Sequence, residues 1–215
     1  DMVAAGLLAE NIVAFNNGVN HSRFTPEATL CTDSPDQETA RPHVIFVGNL
    51  VQVKGIDHLL RAWPRVLDLR SSAGHPLPVL SLYGKGPERD RLLRLARELG
   101  IADSLSLAGS IPHEALPARM REAACLVLPS RSEGMPNVVL EALACGTPVV
   151  ATDVGEIPFL IENGRNGFIT SPKPDALAAA IGNTLRQDWN PDVVAATVRD
   201  FTWEAAAQTL LERIR

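Results

Sequence analysis

Cysteine is scarce in this chain. Cys31, Cys125 and Cys145 are its three, scattered and forming no CxxC pair, so neither a disulfide framework nor a thiolate zinc site is expected, which fits a reducing compartment. No apolar run approaches the ~18 residues needed to span a bilayer as a helix, and no signal-peptide pattern is visible. There is no basic excess: 20 Lys and Arg stand against 25 Asp and Glu, for a net charge of −5. A general attraction to nucleic acid is thereby excluded, and an anionic ligand has to be held by local groups such as backbone N–H, a helix N-terminus or a single cation. The five histidines, His21, His43, His58, His75 and His113, show no metal-ligand spacing and read as scattered surface residues. No Asp-x-Asp motif occurs, so nothing calls for a divalent metal. Internal repeats and low-complexity tracts are absent.

What is present is an ordinary globular balance, with 46% hydrophobic and 21% charged residues in 215, a size that suits one α/β domain. The opening Asp1-Met2-Val3-Ala4-Ala5-Gly6 reads like the tail of a helix, so the natural N-terminus is expected upstream. Short apolar runs alternate with helical patterns. The strands are expected at Val44–Gly48, Val79–Tyr83, Leu105–Gly109, Cys125–Pro129 and Pro148–Thr152, apolar on both faces as covered strands are. Weaker strand signals lie at Ile12–Phe15 and Gly167–Ile169. Helices are expected over Ile56–Leu67, Pro87–Leu99 (stopped by Gly100), His113–Ala124, Val138–Cys145, Ile157–Asn163, Asp175–Arg186 and Thr202–Arg213, the last with Thr202 as N-cap. The polar stretch Thr25–Arg41 reads as a loop within the domain. Strand–helix alternation predicts an α/β fold: a Rossmann-like, doubly wound parallel sheet of about six strands with helices on both faces. Ligands of such sheets sit beyond the carboxyl ends of the strands, so the residues after each strand are the candidates for function.

After the first strand comes GNLVQVKGIDHLL. Gly48 permits a turn, and Lys54-Gly55 opens a helix, where an ammonium and a helix N-terminus together suit a phosphate; alone, Lys54 reads sooner as a solvated lysine. After the second comes GKGPERDRLLRLARELG, whose glycines allow close backbone approach to a ligand but match neither GxGxxG nor GxxxxGK[ST]. Its arginines, Arg89, Arg91, Arg94 and Arg97, could meet acidic lipid and fit a solvated helix face better. After Cys125–Pro129 comes SRSEGMPNVVLEALACGTPVVATDVGEIPFLIENGRNGFI. Glu133 sits in a loop, Pro136 suits the first turn of a helix, and Glu141 follows eight positions after Glu133. Helix N–H groups, notably of Asn137 and Val138, can take a diphosphate, and a carboxylate can accept two hydrogen bonds from vicinal hydroxyls. Taken alone, the two glutamates read sooner as a surface residue and a helix-dipole partner.

The whole segment resembles the signature of the family-4 retaining glycosyltransferases of the GT-B fold. The likeness is carried by Glu133 to Glu141, by ALACGTPVVATDVGEIPFLIENGRNGFI, by VGNLVQVKG at Val47–Gly55, by YGKGPE at Tyr83–Glu88 and by NNGVNHSRF at Asn16–Phe24, all in the family's order, and by Phe201-Thr202-Trp203-Glu204 near the end. It covers nearly the whole chain and implies one half of a GT-B fold: residues 1–215 as a single, C-terminal, nucleotide-sugar-binding domain, with the N-terminal acceptor domain absent from this chain.

The resemblance also implies roles. Glu133 would contact the donor sugar near the reacting centre, and Lys54 would neutralise the departing diphosphate. The backbone of Gly134, Met135, Pro136, Asn137 and Val138 would hold sugar and diphosphate, Glu141 the ribose hydroxyls. Ile111 would lie beside the base with Gly84 lining the same pocket, and Gly48 and Asn49 would border the phosphates. Asn49 departs from the family, which usually carries Arg there; Asn supplies neither charge nor a bidentate fork. The expected activity is retaining transfer from a nucleotide diphosphate sugar to an acceptor hydroxyl in glycan, polysaccharide or glycolipid synthesis. No cofactor or metal is expected, and no nucleic-acid partner. The acceptor, a glycan or lipid-linked sugar, would be met through the missing domain, in the cytoplasm and with peripheral attachment at the inner membrane face. Two other readings are an isolated nucleotide-sugar-binding module without turnover and a sugar-nucleotide epimerase of similar architecture, the latter less like the Glu133–Glu141 segment.

Overall fold

The computed structural model describes residues 17–26 and 41–214. Six strands, β1 (His43–Val47), β2 (Val79–Tyr83), β3 (Leu105–Gly109), β4 (Cys125–Leu128), β5 (Val149–Thr152) and β6 (Gly167–Thr170), form one sheet in the order β3-β2-β1-β4-β5-β6. Every pairing is parallel. Among the described residues the α-helices are α1 (Ile56–Ser72), α2 (Arg89–Glu98), α3 (Leu116–Glu122), α4 (Asn137–Ala144), α5 (Ile157–Leu160), α6 (Pro174–Thr184), α7 (Pro191–Ala196) and α8 (Trp203–Ile214). α1 packs on α6 and α2, whereas α4 packs on α3, α5 and α7, so helices fall into two groups as a doubly wound sheet requires. The Rossmann-like fold expected from the sequence is the fold observed.

Burial explains the strand sequences. Cys125–Leu128 and Val149–Thr152 are buried at every position, as central strands covered on both faces should be. The Cys125 and Cys145 thiols are buried too, and desolvation pushes both pKa values up to about 12, which leaves them unreactive. β3 departs from expectation: its residues are intermediate and exposed in alternation, because it is the last strand of the sheet on its side. The expected strand at Ile12–Phe15, Cys31, the chain's opening and nearly all of the Thr25–Arg41 loop lie outside the described residues.

Helix ends differ from the sequence reading where side chains intervene. α1 runs five residues beyond Leu67, through Pro64, to Ser72. Its last turn carries Arg70, 7% exposed, whose guanidinium donates to the carbonyls of Pro76 and Leu185 at 3.3 and 3.2 Å. α3 starts at Leu116 rather than His113, which remains in the preceding loop. α7 was not expected; Asn190 caps it by accepting from the N–H groups of Asp192 and Val193, and Pro191 occupies its first turn. Gly100 does follow α2 with φ +68°, and Thr202 does cap α8, accepting from the Ala205 N–H at 3.0 Å.

Candidate functional site

The strand order reverses beside β1: the chain moves outward to β2 and β3, then crosses back to place β4 on β1's other side. A crevice opens at such a switch point beyond the carboxyl ends of the two flanking strands. The segments leaving β1 and β4 therefore meet, although far apart in sequence.

From β1 the chain passes through Gly48 and Asn49 into a tight turn at Gln52–Lys54 and then into α1. Gly55 caps α1 with φ +60°. A Cβ there would lie 2.0 Å from the Pro129 carbonyl oxygen, at the end of β4, so only glycine lets the two loops approach this closely. Lys54 consequently reaches Glu133: Nζ lies 2.7 Å from Oε1, with the side chains 22% and 10% exposed. The Ser130 hydroxyl donates to the same carboxylate oxygen, and Thr152, on β5, donates through its own hydroxyl to the Ser130 carbonyl. Glu133 is thus fixed by an ammonium and a hydroxyl, each seated by the sheet's central strands.

The loop from Glu133 to α4 is pinned at several points. The Glu156 N–H donates to the Gly134 carbonyl at 3.2 Å. The Asn17 side-chain amide donates to the Met135 carbonyl at 3.1 Å and to Asn137 Oδ1 at 2.7 Å. Asn17 is itself tied to the C-terminal segment through its neighbour Val19, whose N–H donates to the Phe201 carbonyl at 2.9 Å. Pro136 precedes α4 in an extended conformation, and among the described residues no side-chain hydrogen bond caps the helix there. The first N–H groups of α4, at Asn137 and Val138, therefore face out of the helix without a carbonyl within it. Among the described residues nothing lies within 4 Å of where a Gly134 Cβ would sit. A backbone donor set, a positive helix end and an adjacent ammonium are what an anion requires.

Glu141 is on α4, as expected, largely shielded with its side chain 16% exposed. Its Oε1 lies 3.1 Å from His113 Nε2, in the loop after β3. Burial pushes the Glu141 carboxyl above the usual carboxylate range, while the His113 hydrogen bond and charge and the Arg23 charge pull against that rise. Ile111, two residues before His113, is partly buried against the core. Gly84 lies between the ends of β1 and β3: its N–H donates to the Gly109 carbonyl at 2.7 Å, and a Cβ would come within 1.8 Å of the Gly48 carbonyl oxygen. Asn49 is exposed.

The structure thus joins Lys54 with Glu133 and brings the loop of Ile111 against Glu141; the two glutamates serve separate pairs. Sequence reasoning passed over Ser130, Asn17 and His113. Ser130 and His113 each sit in a loop leaving the carboxyl end of a strand, which was the available signal; Asn17 lies in the NNGVNHSRF motif, but its partners, 118 and 120 residues away, could not be read from it. At the rim, Arg131 grips Asp57 of α1 through both carboxylate oxygens at 2.8 and 2.9 Å. Burial raises the Asp57 pKa, but Arg131's hydrogen bond and charge, with His58 and Arg91, outweigh it and hold the carboxyl below its ordinary value. Among the described residues no group of three or more His, Cys, Asp or Glu is arranged to hold a metal ion.

Known proteins resemble this chain in sequence and fold. Residues 41–187 match the family described as glycosyl transferases group 1. A D-inositol 3-phosphate glycosyltransferase of Corynebacterium jeikeium is 32% identical over 209 residues, 90% of this chain and 49% of that protein. A GDP-mannose-dependent phosphatidylinositol monomannoside mannosyltransferase of Mycolicibacterium smegmatis is 34% identical over 178 residues, 78% of this chain and 45% of that protein. Among solved structures, HepE of Anabaena in complex with UDP superposes with a TM-score of 0.76 at 24% identity, over 99% of this chain and 59% of that one. The chain spans about half the length of the curated relatives it matches.

Proposed function

The chain belongs to the glycosyl transferases group 1 family, and on that premise we propose that it is the donor-binding domain of a retaining glycosyltransferase. The observation that carries this reading is the Lys54–Glu133 pair, held at 2.7 Å beside the uncapped N-terminus of α4. A nucleoside diphosphate sugar is an anion joined to a polyol, and this place offers cations and N–H groups for the one and carboxylates for the other.

In this reading the α4 N-terminus and Lys54 take the diphosphate and stabilise it as it departs, the step at which charge develops. Glu133 orients the sugar through its hydroxyls. The bond from the anomeric carbon to the diphosphate breaks while one to the acceptor oxygen forms on the same face, the acceptor hydroxyl's proton passing to the departing diphosphate oxygen, so the configuration is retained. Glu141 holds the ribose hydroxyls, and the Gly84 and Ile111 loops flank the base. With Asn49 contributing no charge, Lys54 is the principal cation for the phosphates, and no resident metal is invoked. The relatives' names and complexes point to different bases, GDP in one and UDP in another, so the reading is of the nucleoside diphosphate class. The acceptor, a glycan or a lipid-linked sugar, approaches through a second, N-terminal domain, and this chain alone binds donor without turnover. No helix among the described residues is long and apolar enough to cross a membrane; work at the cytoplasmic face, with only peripheral attachment, accords with that.

The test is the stereochemistry of the product formed by the full-length protein. Proton NMR of the first product should show the donor's anomeric configuration; the opposite anomer contradicts the retaining assignment.

A further inference from the structure

Glu141 has a partner that the donor reading does not use. His113 Nε2 lies 3.1 Å from Glu141 Oε1, and the imidazole, 54% exposed, stands at the mouth of the site while the carboxylate is 16% exposed. The ring is not free to wander. Its edge packs against Phe24 with centroids 5.4 Å apart and planes at 62°, a favoured aromatic geometry, and Phe24 is 1% exposed. Arg23 lies over the same Phe24 ring, 6.0 Å from its centroid, and reaches back to Glu114 at 3.4 Å. Three separate pieces of chain therefore meet in series: α4 carries Glu141, His113 touches its Oε1, and Phe24 backs the His113 ring.

We propose that His113 is a positioning residue for the nucleoside's sugar: its Nε2–H fixes the Glu141 carboxylate so that the remaining lone pairs meet the vicinal hydroxyls of a ribose. This rests on the reading of Glu141 as the ribose-binding group. A carboxylate torsion is broad and poorly defined when unrestrained. Anchoring Oε1 to an imidazole that is itself wedged on a core phenylalanine selects one orientation before ligand arrives, which lowers the ordering cost of binding. The tautomer follows from the partner: a carboxylate only accepts, so Nε2 carries the proton. Glu141 is the charged group in contact with this ring, and Glu114, next in sequence to His113, pairs with Arg23.

The test is calorimetric titration of the 215-residue chain with UDP, GDP and ADP to choose the tightest, followed by the 2′-deoxy form of that nucleotide. Four proteins are compared: native, Glu141→Ala, His113→Ala and His113→Gln, whose amide Nε2 can supply the same N–H. The native chain should prefer the ribonucleotide, and Glu141→Ala should abolish that preference. His113→Ala should weaken the ribonucleotide about tenfold, the usual scale of one charge-assisted hydrogen bond, and leave the 2′-deoxy form within about twofold. His113→Gln should restore most of the loss. A general prop for the loop would weaken both nucleotides alike, and that outcome overturns the proposal, as does no effect on either. If the native chain does not discriminate, or Glu141→Ala changes nothing, the ribose reading itself fails. If Glu141→Ala abolishes the preference and His113→Ala keeps it, only the role of His113 falls.

Discussion

Replacing Lys54 by methionine removes the ammonium and keeps most of the side chain's length. In the native site Nζ is 2.7 Å from Glu133 Oε1, with side chains 22% and 10% exposed. At that separation and an effective dielectric constant of about 20, the Coulomb attraction is about 6 kcal/mol before desolvation is counted. Desolvation and lost side-chain freedom cancel most of it: exposed pairs contribute about 0–1 kcal/mol, while stranding one partner of a buried pair costs about 3–5. This pair lies between those limits, and Ser130 still donates to Glu133 in the variant. Lys54→Met should therefore lower the unfolding free energy by about 1–3 kcal/mol. Adding Glu133→Gln removes the stranded charge and should recover at least half of the loss. Urea denaturation of the native chain, both single variants and the double variant gives the coupling energy directly. A coupling below about 0.5 kcal/mol would refute the claim that the two side chains are mutually dependent. The same Lys54→Met variant should weaken nucleoside diphosphate binding about 10–100-fold, the range of a charge-assisted hydrogen bond.

Gly55→Ala should destabilise the chain by more than about 2 kcal/mol, since left-handed strain of about 1–2 kcal/mol is joined by a clash, the new Cβ falling 2.0 Å from the Pro129 oxygen. Gly164→Ala, with φ +79° and nothing within 4 Å, is the control and should cost about 1 kcal/mol, the strain alone; equal losses would show that the loop contact at Gly55 is unimportant. Asp57→Asn tests the Arg131 clamp by pH. Because the folded carboxyl is held below its ordinary value of 3.8, its contribution is present above that pH and lost as pH falls through the lower, folded value. The native chain should thus exceed Asp57→Asn in urea midpoint at pH 7, and the gap should close in acid below 3.8; a gap that persists there contradicts the assignment. Finally, the isolated chain should transfer no sugar in a radiolabelled-donor assay, and detectable transfer by it would overturn the reading of a separate acceptor half.

Much of the fold was legible because burial follows strand position. Cys125–Leu128 and Val149–Thr152 are buried at every residue, and their continuous apolar runs announced it. Leu105–Gly109 was misjudged as covered because sheet order, which makes it the edge, is not written in the strand itself. α7 was missed although Asn190-Pro191 is a strong start signal, since six residues are too few to show a helical period. Of the site, Glu133, Glu141 and Lys54 were legible as candidates, but their pairing was not. The two glutamates stand eight residues apart with separate roles, and only tertiary structure supplies their partners, Lys54 for Glu133 across 79 residues and His113 for Glu141 across 28. Asn17 shows the same limit, since its hold on the loop after Glu133 exists only once the N-terminal segment has packed beside α8.

The central claim, that this domain holds a nucleoside diphosphate at the switch point between β1 and β4, is tested most directly by calorimetric titration of the chain with UDP, GDP and ADP, repeated on Glu141→Ala. Saturable binding of at least one of the three at or below millimolar concentration, weakened by the substitution, is the predicted result. Absence of binding by all three at millimolar concentration, or binding that Glu141→Ala leaves unchanged, would contradict it.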